Sequence, residues 1–187
     1  GIVIIFLHFN PGEELLKVGT SAIVVPVAFL IWRIGFFGGA DAFAIITISI
    51  LVPGISMTEA VVTPFSTLTN AICLSLITIL VNMTRNLALL LLGKNIFDGF
   101  NETSTKKILA MFVGYRASNP KYAFSIEQET ACGKKLNFVP HHAENSEFCN
   151  KKDTWVSPAV PYMVFITAGF IVQLLIGDIL LQIIQNV

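Results

Sequence analysis

The sequence predicts an all-α protein: a multi-pass transmembrane helical bundle carrying a polar cytoplasmic insertion. Two observations support this fold class. The chain has 187 residues, of which 54% are hydrophobic and 13% charged, where about 25% charged is usual in a soluble domain. The polar residues are also gathered in one place. Positions 94 to 153 hold nine of the 12 Lys and Arg and seven of the 12 Asp and Glu, with apolar runs on either side. The expected division is membrane helices over 1–93, a polar cytoplasmic subdomain or loop over 94–154, and a final membrane helix over 155–187. Zero net charge and no basic stretch interleaved with aromatics argue against nucleic acid as a partner. Three cysteines, an odd count, give no disulfide framework.

Gly1 to Phe9 is apolar but far shorter than the ~20 residues of a full span. With Gly at position 1, it reads as the last part of a helix that starts upstream. It lacks a basic n-region and a small-residue cleavage site, so it does not read as a signal peptide. Asn10 to Glu14 is a turn. Val18 to Phe37 is the next apolar run. Pro26 is expected to kink it, and Arg33 to snorkel toward the headgroups. Ala42 to Val52 would cover only about 16 Å as a helix. Either it continues through Pro53 and Gly54, or Asp41 lies recessed below the membrane surface. Residues 55 to 62, with Glu59, read as a connection.

Pro64 to Thr84 is a further span, ended by Arg85. Ser66, Thr67, Thr69, Asn70 and Ser75 give it a polar stripe suited to packing between helices. Leu87 to Leu92 prolongs the apolar signal. Within the polar block, Lys106 to Tyr115 reads as a short amphipathic helix. Capping residues from Asn101 to Thr105 precede it, and Gly114 stops it. Trp155 is expected at the membrane–water interface. Tyr162 to about Ile184 is the last span, containing Gly169, Gln173, Gly177 and Asp178. Arg85, Lys94, Lys151 and Lys152 flank the polar block, which places it on the cytoplasmic side. Parity then puts Asp41 on the same side, and Glu13, Glu14 and Glu59 outside.

Asp41 is the candidate for chemistry. It is the single carboxylate between the apolar runs Ala22–Phe37 and Ala42–Val52, and an ionisable group at membrane depth is costly. Gly38, Gly39 and Ala40 just before it leave little bulk, so a helix or a substrate backbone can come close. From the residues alone three roles stay open: a catalytic carboxylate, a proton or ion site, or a structural pair with Arg33. Aspartic proteolysis needs two carboxyls that share a proton, so Asp41 by itself is insufficient. Asp98 and Asp153 read as solvated loop charges, and Asp178 as structural or interfacial. Cys132, His141, His142 and Cys149 are zinc-type ligands, but without the spacing of a zinc site.

Gly38-Gly39-Ala40-Asp41 resembles the active-site motif of the GxGD membrane aspartic peptidases, with Ala40 in place of the second glycine. The order of features also resembles the archaeal preflagellin peptidases, class III signal peptidases related to type IV prepilin peptidases. That order runs from the motif through Leu51-Val52-Pro53, Arg85-Asn86-Leu87, Lys107 to Gly114 and Trp155 to Pro161 to Ile176-Gly177-Asp178. The resemblance spans nearly the whole chain. It implies cleavage of leader peptides from archaellin or pilin-like precursors at the cytoplasmic membrane face, with Asp41 catalytic and no cofactor. Arg33 is the residue suggested for orienting the leader or pairing charge. The family's second aspartate, at the cytoplasmic end of its first helix, is expected to fall before Gly1. The isolated chain is therefore expected to be inactive. A transporter or proton relay using a buried Asp41 is the competing expectation, and a non-catalytic membrane assembly component a third.

Overall fold

A computed structural model describes residues 11–35, 38–52, 63–130, 133–138 and 147–185, without the side chains of 11–17, 20 and 21. Gly1 to Phe9, Pro53, Gly54, Glu59, Cys132, His141 and His142, and the side chains of Glu13 and Glu14, all invoked above, lie outside the described residues. The elements run α1 (Pro11–Arg33), α2 (Gly39–Leu51), α3 (Thr63–Leu91), α4 (Ser104–Val113), β1 (Tyr115–Ala117), β2 (Ala123–Ser125), β3 (Glu127–Thr130), β4 (Gly133–Leu136), β5 (Thr154–Pro158), α5 (Tyr162–Leu175) and α6 (Ile179–Gln185).

This corrects the expected all-α multi-pass bundle. Among the described residues, six helices are joined by two small antiparallel sheets. Among the described residues one helix, α3, is long and apolar enough to cross a membrane, or two if the bent pair α5 and α6 counts as one span. The physical reason lies in length. The 13 residues of α2 reach only about 20 Å, against ~30 Å of hydrocarbon. The strands are three to five residues long, too short to show a period-2 pattern.

The chain forms two compact units, Gly1–Ser75 with Pro161–Val187, and Leu76–Val160. In the first, Val24, Ala28, Ile45, Ala71 and Ile166 form the apolar core. Its polar residues are turned inward. Thr63, Ser66, Thr67 and Asn70 of α3 are fully buried, and their three- and four-residue spacing makes one helix face. Large apolar side chains point outward, including Phe43 (71% exposed) and Leu175 (73%). Gly169 makes the close approach of α5 to α3 possible. A Cβ there would sit 2.7 Å from the Ala71 nitrogen and the Thr67 oxygen, the small-residue contact typical of apolar helix pairs.

The expected continuous last span is broken. α5 ends at Leu175, and α6 leaves at 51° to it. A polar side chain from α3 satisfies the backbone at the break. Asn70 Nδ2 donates to the Gly177 carbonyl at 2.9 Å, and its Oδ1 accepts the Ile179 N–H at 2.9 Å. Gly177 adopts φ +98°, where an L side chain is strained. Asp178 then caps α6: Oδ1 accepts the Leu181 N–H at 3.1 Å, while the Thr69 hydroxyl donates to Oδ2 at 2.7 Å. Asn70→Ala strands a buried donor and acceptor at this break. It is expected to lower the unfolding free energy in detergent micelles by about 2 kcal/mol, which a denaturation series would measure.

In the second unit, β5 is the centre of a three-stranded antiparallel sheet of order β1-β5-β2, and β3 pairs with β4 in a separate hairpin. Trp155, expected at the membrane interface, is instead fully buried in the core. Its ring stacks on Phe97 with centroids 4.9 Å apart, and Nε1–H donates to the Ile96 carbonyl at 2.8 Å. That hydrogen bond satisfies the donor that burial would otherwise strand. α4 starts after Thr103 and stops at Gly114. Its last carbonyls are taken by α3. Asn86 Nδ2 donates to Met111 O and Gly114 O, and Asn82 Nδ2 to Phe112 O.

Glu127 ties the hairpin to the central strand. Its side chain is 2% exposed and lies 2.9 Å from the Lys134 ammonium. Its Oε2 accepts from the Thr154 hydroxyl and the Trp155 N–H. Burial pushes this carboxyl upward, but the Lys134 ammonium and the two hydrogen bonds outweigh it, and the acid rests below its ordinary value. A carboxyl that is more acidic when folded stabilises the fold above its unfolded pKa. That contribution is lost as the pH falls through the folded value. The second unit is therefore expected to keep this stabilisation at neutral pH and lose it below about pH 4. Glu127→Gln should flatten the acid limb of a Tm-against-pH curve.

Candidate active site

Asp41 occupies the third position of α2, and its side chain turns back to the start of its own helix. Oδ2 accepts the Gly38 N–H at 3.0 Å. Gly38 has no side chain, so only this arm of a capping box can form. The carboxylate also takes a backbone hydrogen bond from Met163, in the first turn of α5. Two helix N-termini thus supply N–H groups to one buried carboxyl group. Asp41 is 8% exposed.

The small residues beside it differ in role. Gly38 is extended (φ −70°, ψ 159°), a conformation open to any residue. Space favours glycine there, since a Cβ would lie 3.2 Å from Asp41 Oδ2 and press on the tip of that side chain. Gly39 opens α2 and is half-buried, while Ala40 is exposed. Arg33 closes α1 as an exposed cation in its last turn, and among the described residues no ion pair joins it to Asp41.

Tyr162 was not singled out by the sequence. It lies close enough to Asp41 to sense its charge, and its hydroxyl is hydrogen-bonded to Ser75. The available signal was Pro161, the N-cap of α5, which marks where that helix begins. No other carboxylate among the described residues acts on Asp41. Asp178 lies beyond the far end of α5, a 14-residue helix about 21 Å long. Asp153 is ion-paired with Arg116 at 2.7 Å in the second unit. Among the described residues no three His, Cys, Asp or Glu side chains converge as metal ligands would, and Cys149 is a buried unbridged thiol.

Comparison with known proteins gives this geometry a context. A family model described as Archaeal Peptidase A24 C-terminus Type II matches residues 106–179, from α4 through α5 to the start of α6. A preflagellin peptidase of Methanocaldococcus jannaschii is 25% identical over 94% of this chain and 79% of its own length. Coverage that wide includes position 41. A preflagellin peptidase of Methanococcus maripaludis is 28% identical over 78% of this chain. The chain spans just under two thirds of that relative, 65%. With this order of elements and these matches, the chain is similar to archaeal preflagellin peptidases over most of its length.

Proposed function

We propose that this chain is part of a membrane aspartic endopeptidase that removes leader peptides from archaellin or pilin-like precursors. The observation that carries the reading is Asp41 itself: a buried carboxylate in a Gly-Gly-Ala-Asp turn, held by backbone N–H groups of two helices. Hydrogen bonds from the Gly38 and Met163 backbone N–H groups fix the orientation of this carboxyl. An aspartic pair needs that in the partner that activates water. The second carboxyl must come from outside the surroundings of Asp41 described above. Gly38, Gly39 and Ala40 are read as leaving room for a peptide to approach, and Arg33, exposed at the end of α1, as meeting a substrate carbonyl or charge. The chemistry calls for no cofactor.

A membrane location is supported by the inverted surface of the first unit, where threonine, serine and asparagine are buried and phenylalanine and leucine face outward. The cations Arg85, Lys94, Lys151 and Lys152 favour the cytoplasmic face for the second unit. The test is cleavage of an archaellin precursor by the full-length protein in membranes, compared with its Asp41→Asn variant. Cleavage that survives the substitution overturns the reading. Ion uptake abolished by the same change would assign the chain to transport instead.

A further inference from the structure

We propose that a cavity beside the end of α3 in the second unit binds the phosphate group of an anionic phospholipid headgroup. The cavity has a volume of about 360 Å³, and its lining includes Arg85, Leu89, Lys94, Asp98, Arg116 and Asp153. Its charges are not equivalent. Arg116 is already engaged, with Nε and Nη2 donating to Asp153 at 2.9 and 2.7 Å and Nη1 to the Asn95 and Ile96 carbonyls. Arg85 and Lys94 make no ion pair among the described residues. The Arg85 guanidinium lies 3.9 Å from the centre of the Tyr115 ring. Stacking of this kind orients the planar group while leaving its N–H edge available to an anion. Against these two cations stands Asp98, whose charge reaches Arg116 without a direct bond. The cavity thus offers two cations to an incoming anion and one opposing acid.

The surrounding surface selects the source of the phosphate. Leu91 and Leu92 are 80% and 74% exposed, and Leu87 and Leu90 are exposed beside them. The same apolar surface runs back along α3 through Leu76, Leu80 and Val81, within the helix that is long and apolar enough to span. The cations therefore sit where an apolar helix surface ends, which is where headgroup phosphates lie. A soluble phosphate ester would use only the cations. A phospholipid also covers the leucines with its first methylenes. This inference goes beyond the peptidase reading and does not depend on Asp41.

The experiment titrates the full-length protein in a neutral detergent with phosphatidylglycerol, phosphatidylcholine or inorganic phosphate, and reads bound lipid by native mass spectrometry and bound phosphate by calorimetry. Phosphatidylglycerol is expected to bind more tightly than phosphatidylcholine. The double variant Arg85→Gln/Lys94→Gln should weaken it by roughly tenfold or more. Asp98→Asn removes the opposing charge and should tighten it severalfold, a gain that misfolding cannot imitate. Unchanged phosphatidylglycerol affinity in the double variant, or no gain in Asp98→Asn, overturns the proposal. Inorganic phosphate bound as tightly as phosphatidylglycerol overturns the lipid source and assigns the cavity to soluble phosphate esters.

Discussion

Asp41→Asn in the full-length protein is expected to lower precursor cleavage by about a thousandfold or more, the range general acid–base catalysis contributes, while leaving the first unit folded. The two effects separate because Asp41 has two possible jobs. One is local: its Oδ2 accepts the Gly38 N–H and, with Met163, helps satisfy backbone donors at two helix starts. An asparagine is nearly isosteric, and its Oδ1 can keep the Gly38 bond. The other job is chemical, and an amide cannot share or move a carboxyl proton. Asp41→Ala adds the loss of the cap, worth about 1 kcal/mol. The expected pattern is therefore no cleavage in either variant, a near-native Tm for Asn and a lowered Tm for Ala. If Asn retained cleavage and Ala lost only stability, Asp41 would be a helix-capping residue and nothing more. Measuring kcat/KM and Tm on the same preparations distinguishes the outcomes.

Gly114→Ala is expected to destabilise the second unit by more than about 3 kcal/mol, at the severe end for one added methyl group. Gly114 is extended at φ −154°, so conformation is not the obstacle. Space is. A Cβ would stand 2.3 Å from the Val156 oxygen and 3.0 Å from Ile126 Cδ1. The obstructing oxygen is backbone in the central strand, whose residue Val156 pairs with both Tyr115 and Ser125. Moving it disturbs both neighbouring strands. Moving Gly114 instead pulls its carbonyl from Asn86, which holds it at 2.7 Å. Gly93→Ala is the control. Gly93 has φ +74° and nothing within 4 Å of a new Cβ, so its cost is conformational, about 1 kcal/mol. Urea unfolding followed by Trp155 fluorescence in a Trp32→Phe background measures both variants. Equal losses would show that strand packing around Gly114 relaxes freely.

Much of the candidate site was legible in the chain because its signals are local. An acid between apolar runs stands out by composition, and the glycines before it are its direct neighbours. The short helix α4 was legible for the same reason, since its capping stretch and its stop lie within one turn of its ends. What surrounds Asp41 was not legible. Met163 and Tyr162 lie more than a hundred residues further along the chain, and nothing in their immediate sequence points to a carboxylate. The fold class failed where hydrophobicity was taken to mean spans. The α2 run is too short to cross by itself, and the last run breaks at Ile176 to Asp178 because Asn70 is there to satisfy the freed backbone groups.

By itself, the sequence determined the segregation of apolar from polar residues, the isolation of Asp41 and the presence of α4 with its stop at Gly114, because each depends on residues within a few positions. Only the tertiary structure decided that the polar block builds two sheets. Strands of three to five residues are stable only when paired, and β5 finds β1 and β2 from tens of residues away. It also decided that Trp155 is a core residue and that Glu127 is a buried hub. An aromatic ring next to an apolar run fits a membrane interface and a protein core equally well. The choice was made by Phe97 and the Ile96 carbonyl, which reach it through the fold.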